Sequence, residues 1–393
     1  MDTLTEALPE EAGFDAARID LIDQRLRSWV DEGRTPAISA LLARRGKIVL
    51  HKAYGQRTPD SPPSSLKVDD IFPVMSVTKP FTATAAMMLV EDGLLSLNRR
   101  LQDYVPEVEG KWADEILIRH LMTHTAGYDE FELFTHVAQN PVSQLPPMED
   151  TQDPYSHRWL EERYRAPVSF QPGTQNSYGI HCISLLGEVV RRVSGVSLER
   201  LLKERILNPL GMNDSDMVTN DRMKERLVIR DETLPFGNDQ SFLNINKSFD
   251  HPWAAAGLLS TTHDLAVFAQ TFLNGGAYNG IRILSEVTAN EMMRNQIPGV
   301  PAMGWGGRMV PEGSWGLGWM IQGEEKWPYW TGSLQPLGTV YHQGIGASFV
   351  WLDRQHEVIG VYLTVATEVN PETSEHNWDL DLFQNMATAA ISA

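Results

Sequence analysis

Apolar residues change their spacing several times along this 393-residue chain. Over residues 15–31, Ile19, Ile22, Leu26 and Val30 recur at helical spacing and predict one amphipathic helix. Residues 37–43 and 47–54 read as apolar, β-rich runs parted by Arg44, Arg45 and Gly46, which predicts a hairpin. The Pro- and Ser-rich stretch 59–65 is a loop. From residue 80 to about 210 the pattern turns helical, with candidates at 81–91 and 116–123 and a pair at 182–193 and 198–206 joined at Ser194 and Gly195. Between them, 140–154 carries four prolines and predicts a long loop. Residues 214–252 are polar and predict no element. Strand signals return at 315–322, rich in Trp and Gly, and at 339–342, 348–353 and 358–366, spaced for an antiparallel meander. A closing helix is predicted over 373–390.

Strand-like ends therefore bracket a helical middle. That order predicts an α+β fold, with an antiparallel β-sheet flanked by helices and built from both termini, and an all-α domain inserted between. Composition narrows the class. Hydrophobic residues make up 42% and charged residues 21%, which suits a folded globular chain. A formal net charge of −18 argues against a nucleic-acid partner, because a phosphate backbone needs a basic face. Cys182 is the single cysteine, so neither an internal disulfide nor a Cys-based zinc site is expected. Residues 1–14 are acidic without an apolar core, unlike a signal peptide, and no run approaches the roughly 18 apolar residues of a membrane span. A soluble, cytoplasmic protein is the expectation.

The sharpest local chemistry is Ser76-Val77-Thr78-Lys79, followed by Pro80. Proline is tolerated only in the first turn of a helix, so a helix must begin close to Ser76. Residues three apart share a helical face, which places Lys79 beneath Ser76. A serine hydroxyl needs an adjacent base to become a nucleophile, and a lysine serves if burial lowers its pKa. The helix start also offers free N–H groups to a developing oxyanion. Alone, S-x-x-K is a weak signal, since both residues are common.

Context changes its weight. Residues 71–101 read IFPVMSVTKPFTATAAMMLVEDGLLSLNRRL, 118–128 read IRHLMTHTAGY, 172–187 read PGTQNSYGIHCISLLG, and 341–353 read YHQGIGASFVWLD. In order and spacing these resemble the serine β-lactamase / penicillin-recognising family, and most of all its class C β-lactamase-like branch with the family VIII carboxylesterases. The resemblance runs from about residue 37 to 366. It implies that Ser76 is the acylated nucleophile, Lys79 its proton-relay partner and Tyr178 the catalytic tyrosine. It implies further that His342-Gln343-Gly344 is the third motif, and that the N–H of Ile345 joins that of Ser76 in an oxyanion hole. Trp305-Gly306-Gly307 resembles a variant of that motif but lacks the strand that follows His342, so His342 is preferred.

Two departures from the family pattern bear on substrate. The second motif, Tyr-x-Asn in β-lactamases, is Tyr178-Gly179-Ile180 here, and the third motif offers histidine where they carry lysine. Both changes remove recognition of an anionic, peptide-like acyl donor and leave the Ser-Lys-Tyr set intact, which favours an esterase. Ile180, Gln343, Trp315 and Trp330 are the expected substrate contacts. The late tryptophans are read either as an apolar wall beside the cleft or as a core with its covering loop.

Other groups carry less. His120 and His124 have the spacing of metal ligands on a helix, but without H-E-x-x-H no metal is expected. His181 is expected against a neighbouring helix, and Cys182 as a buried thiol. No G-x-S-x-G occurs, which removes the α/β-hydrolase alternative. The expectation is thus a sheet domain from 1–75 and 255–393, a helical domain from 76–254 and an active site in the cleft between them. The reaction expected there is cleavage of a small carboxylic ester with no cofactor. A β-lactamase, peptidase, amidase or acyltransferase on the same machinery is the alternative.

Overall fold

A computed structural model describes residues 3–60, 64–232, 246, 251–303, 309–325, 331–365 and 379–392. Its central sheet has seven strands. These are β1 Thr5–Glu6, β2 Ala37–Arg44, β3 Lys47–Gly55, β4 Met320–Ile321, β5 Val340–Gly344, β6 Ser348–Asp353 and β7 Val358–Thr364. Their order, β1-β3-β2-β7-β6-β5-β4, sets the N-terminal hairpin beside the C-terminal meander. The seam is the antiparallel pairing of β2 with β7, Leu41 opposite Val361. All neighbours are antiparallel except β1, which runs parallel to β3, so the sheet is mixed at one edge rather than wholly antiparallel.

The helices that matter for the site and its support are α1 Ala16–Asp31, α2 Lys79–Glu91, α3 Ile118–Met122, α4 Glu130–Gln139, α5 His181–Ser194, α6 Thr262–Leu273 and α7 Asp379–Ala389. Alternation along the strands sorts side chains between two cores. Ile38, Ala40 and Leu42 join Ile22, Leu26 and Trp29 of α1 and Phe383 of α7. Ala37, Leu41 and Ala43 join Phe268 of α6, in a cluster that continues through Phe81 of α2 to Leu185 of α5. Both faces of β2 are therefore covered, which is why its sequence reads as an unbroken apolar run. The second cluster also ties the helical segment to the sheet and fixes where α2 begins.

The sequence pattern erred where glycine and caps decide. The strand expected over 315–322 shrinks to β4, with one bridge between Trp315 and Met320, because the chain turns at Gly316 and Gly318. A Cβ on Gly316 would strike the Met292 carbonyl, and Gly318 has φ +85°. Helices α4 and Pro154–Glu161 were not foreseen, although Asp129 and Asp153 cap them by accepting backbone N–H bonds. Of the helix expected over 373–390, the part before Asp379 lies outside the described residues. Among the described residues no helix is long and apolar enough to cross a membrane.

Candidate active site

Ser76 sits in a 3-10 turn, Met75–Thr78, that runs directly into α2. Met75 takes φ +48°, a left-handed conformation that costs a non-glycine residue free energy and must be held by its surroundings. The hold comes from segment 254–258. Val74 N–H donates to the Leu258 carbonyl at 3.1 Å, Leu258 N–H to Thr78 Oγ1 at 3.0 Å, and Thr82 Oγ1 to the Ala254 carbonyl at 2.7 Å. Lys79, the first residue of α2, is fully buried and reaches back to the serine. Its Nζ lies 2.6 Å from Ser76 Oγ and 3.1 Å from the Ala255 carbonyl. Burial lowers its pKa to about 7, and the Glu130 charge opposes that fall.

Tyr178 arrives from the other side. Its segment is pinned by Ser177 N–H on the His124 carbonyl, by Asn176 N–H on the Pro301 carbonyl, both at 2.8 Å, and by Asn176 Nδ2 on the Thr123 carbonyl at 2.7 Å. The phenol hydrogen-bonds to Ser76, and its ring centroid is 5.0 Å from Lys79 Nζ. Burial pushes its pKa above the ordinary tyrosine value, Ser76 lowers it and Glu130 raises it. At neutral pH it is therefore a phenol, not a phenolate.

Strand β5 supplies the third side. His342 and Gly344 share one face and Gln343 lies on the other with Tyr341, as alternation requires. His342 is fully buried, and its Nδ1 is 2.8 Å from the Gln343 carbonyl, which makes Nδ1 the protonated nitrogen. Burial first, and the Lys79 charge second, lower its pKa to about 3. The ring is neutral at any pH where the protein would work. A Cβ on Gly344 would strike the Val74 carbonyl and Ser348 Oγ and come within 3.0 Å of Ser76 N, so only glycine lets the strand pass this close to the serine. Ile345 follows at the turn, half-buried against the core.

The structure thus brings Ser76, Lys79, Tyr178, His342 and Gly344 together. The other expected residues are placed as follows. Ile180 is the capping position just before α5, half-buried, with its N–H on Glu130 Oε1 at 2.5 Å. Trp315 is buried behind Tyr178, at 5.5 Å between ring centroids, and Trp319 lies in the core against Phe268 and Phe272. Those two fit the reading as core better than the reading as an open wall. Trp330 and Trp305-Gly306-Gly307 lie outside the described residues.

Of two further groups beside the site, the sequence reading misplaced one and missed the other. His124 lies beyond the end of α3, so it does not share a helical face with His120 as the metal-like spacing suggested. It takes φ +53° and sets its buried ring 4.9 Å from both Tyr178 and Trp315, tilted against the first and edge-on to the second. Burial, then Lys79 and His342, hold it well below the usual histidine range. The other is Glu130, whose Oε1 accepts from Ile180 N–H and from His181 N–H, the latter at 2.8 Å. His181 itself packs edge-on against Tyr128, away from Tyr178.

Comparison with known proteins bears on the same arrangement. The beta-lactamase family profile matches residues 20–384. A Salmonella paratyphi A protein provisionally named D-alanyl-D-alanine carboxypeptidase is 25% identical, over 87% of this chain and 84% of the relative. Among solved structures, EstCE1, a hydrolase with promiscuous acyltransferase activity, superposes with a TM-score of 0.71 at 22% identity, over 96% of this chain and 98% of its own. A family VIII carboxylesterase gives a TM-score of 0.70 at 21% identity, over the same shares of the two chains. The chain belongs to the beta-lactamase family, with that family's α+β fold, and is a serine hydrolase of it.

Proposed function

We propose that this member of the beta-lactamase family cleaves small carboxylic esters through an acyl-enzyme on Ser76. The observation that carries the reading is His342. A buried imidazole, neutral and with its one N–H turned to the Gln343 carbonyl, stands where the β-lactamases carry a lysine. It offers no fixed cation to a carboxylate-bearing acyl donor. Ile180 likewise brings hydrocarbon where an asparagine would bind a substrate amide. The carboxylesterase among the fold neighbours fits this reading, and the carboxypeptidase name of the curated relative marks the competing one.

In the reaction, Ser76 Oγ attacks the ester carbonyl while Lys79 Nζ takes its proton across the 2.6 Å contact. The N–H groups of Ser76 and Ile345 hold the oxyanion of the tetrahedral intermediate. The C–O bond to the alcohol then breaks, and the Tyr178 phenol delivers a proton to the departing alkoxide and is refilled by Lys79. Water attacks the acyl-enzyme by the same path in reverse, releasing the acid and restoring Ser76.

Two measurements check this. The first compares initial rates on p-nitrophenyl butyrate and on a chromogenic cephalosporin, with Ser76→Ala as the blank. The ester should turn over at least about 100-fold faster in kcat/KM, the discrimination expected when a buried binding charge is absent. Comparable rates would return the chain to the β-lactamase reading. The second is the pH profile of kcat/KM. Lys79 must be neutral to accept the proton, so activity should fall about tenfold per pH unit below an apparent pKa of about 7 and level off above it. Because Lys79 and Tyr178 are in contact with the same serine, the apparent value belongs to the set. A profile flat down to pH 5 would remove Lys79 as the base.

A further inference from the structure

Glu130 has no part in the reaction just described, yet it is built into the same site. It opens α4 directly after the capping residue Asp129. Its Oε1 takes both N–H groups at the start of α5, those of Ile180 and His181, immediately after Tyr178. That carboxylate occupies the space beside the Gly179 backbone. A Cβ on Gly179 would collide with Glu130 Oε1, Cγ and Cδ, so the glycine between Tyr178 and Ile180 is what admits the carboxylate. The second oxygen, Oε2, is buried and has no hydrogen-bond partner among the described residues. The charges of Lys79 on α2 and of Arg163 in the chain after helix Pro154–Glu161 both act to lower the Glu130 pKa.

We propose that Glu130 is a positioning residue of this site, whose buried carboxylate fixes the Tyr178-Gly179-Ile180 backbone and supplies the negative charge that faces Lys79. The proposal rests on the Ser76–Lys79–Tyr178 reading of the machinery but not on the ester being the substrate. A helix-capping carboxylate on an exposed surface would only hold the backbone. Here the same group also acts on the proton acceptor. The groups facing Lys79 are the Ser76 hydroxyl on its own turn, the Tyr178 phenol, the Cys182 thiol of α5, the rings of His124 and His342, and Glu130. Burial holds both imidazoles neutral and pushes the phenol and the thiol up, which leaves Glu130 as the acidic group of that set that can balance a lysine cation. Burial raises Glu130 above the usual carboxylate range, and the two N–H bonds, Lys79 and Arg163 offset only part of that rise. The carboxylate thus favours protonated Lys79 and holds its titration higher than burial alone would.

The test is Glu130→Gln, which keeps an acceptor oxygen for the two N–H groups and removes the charge. The readout is the rate at which a fluorophosphonate labels Ser76, followed from pH 5 to 9. That rate reports serine activation whatever the natural substrate is. Without the carboxylate Lys79 loses its proton more easily, so the acid limb should move to lower pH by about half a unit or more. Glu130→Asp, which draws the carboxylate back by one methylene, should move it the same way by less. An acid limb unchanged in Glu130→Gln, with only the plateau lowered, would overturn the proposal and leave Glu130 as a cap. Should Glu130→Gln fail to fold, an unmoved limb in Glu130→Asp overturns it equally. Failure of the underlying reading would look different, because Ser76→Ala would then still be labelled.

Discussion

Ser76→Ala is expected to lower kcat/KM for p-nitrophenyl butyrate by at least roughly 10⁴-fold, and Lys79→Met by about 10³- to 10⁴-fold, with the double variant within roughly threefold of Ser76→Ala alone. The reason lies in the contact between them. Lys79 Nζ is 2.6 Å from Ser76 Oγ, and it also donates to the Ala255 backbone carbonyl at 3.1 Å, so the amine has no second catalytic task once the hydroxyl is gone. Groups that act as one unit lose their effect together rather than in sequence. Full multiplication of the two losses would mean that Lys79 works on the substrate independently of the serine, and the relay would be wrong. Stability should move the other way. Lys79 is fully buried, and methionine keeps its stem while removing an amine that is costly to desolvate. The thermal midpoint of Lys79→Met should therefore equal or exceed that of the native chain, as happens when a site is built at the expense of stability. A variant both inactive and destabilised would point to misfolding instead.

What the sequence could show of this site follows from how local each contact is. Ser76 and Lys79 are three residues apart on a helix start, so their meeting is a consequence of helical geometry and Pro80. The sheet was legible for a similar reason, since strands buried on both faces announce themselves as apolar runs and β2, β6 and β7 are such strands. Tyr178 and His342 lie about a hundred and more residues away, and no spacing rule joins them to Ser76. Only the ordered resemblance of their motifs did. His124 was misplaced because the i, i+4 count assumes a helix that in fact ends at Met122. Glu130 could not be seen at all, because its carboxylate meets Ile180 across fifty residues, and the visible trace of that meeting is a single glycine in Tyr178-Gly179-Ile180. The tryptophan-rich stretch was open to two readings. Trp315 and Trp319 suit either a wall or a core in a glycine-rich segment, and the glycines turn the chain so that both rings go inward.

Gly344→Ala carries the second large effect, and it tests the oxyanion hole without touching a titrating group. The added methyl would meet the Val74 carbonyl, Ser348 Oγ and, at 3.0 Å, Ser76 N. None of these can retreat cheaply. The Val74 carbonyl accepts from Ser348 Oγ at 2.8 Å and from Val77 N–H at 3.1 Å, and Ser76 N belongs to the turn that Leu258 and Ala254 hold in place. The strand must move instead, carrying the Ile345 N–H away from the point where the oxyanion forms. Loss of one such donor costs about 10²- to 10³-fold in kcat. The loss should fall on kcat, with KM little changed, because the donor pair matters chiefly once charge develops on the carbonyl oxygen. Overpacking should also cost about 1–3 kcal/mol of stability. Gly338→Ala separates the two effects. Gly338 has φ +79° and open space around its Cβ position, so alanine there strains the backbone without entering the site. It should lower the denaturation midpoint while kcat stays near the native value. If Gly344→Ala kept native kcat despite the collision, the N–H of Ile345 would not be an oxyanion donor, and the developing charge would have to be held from elsewhere in the cleft.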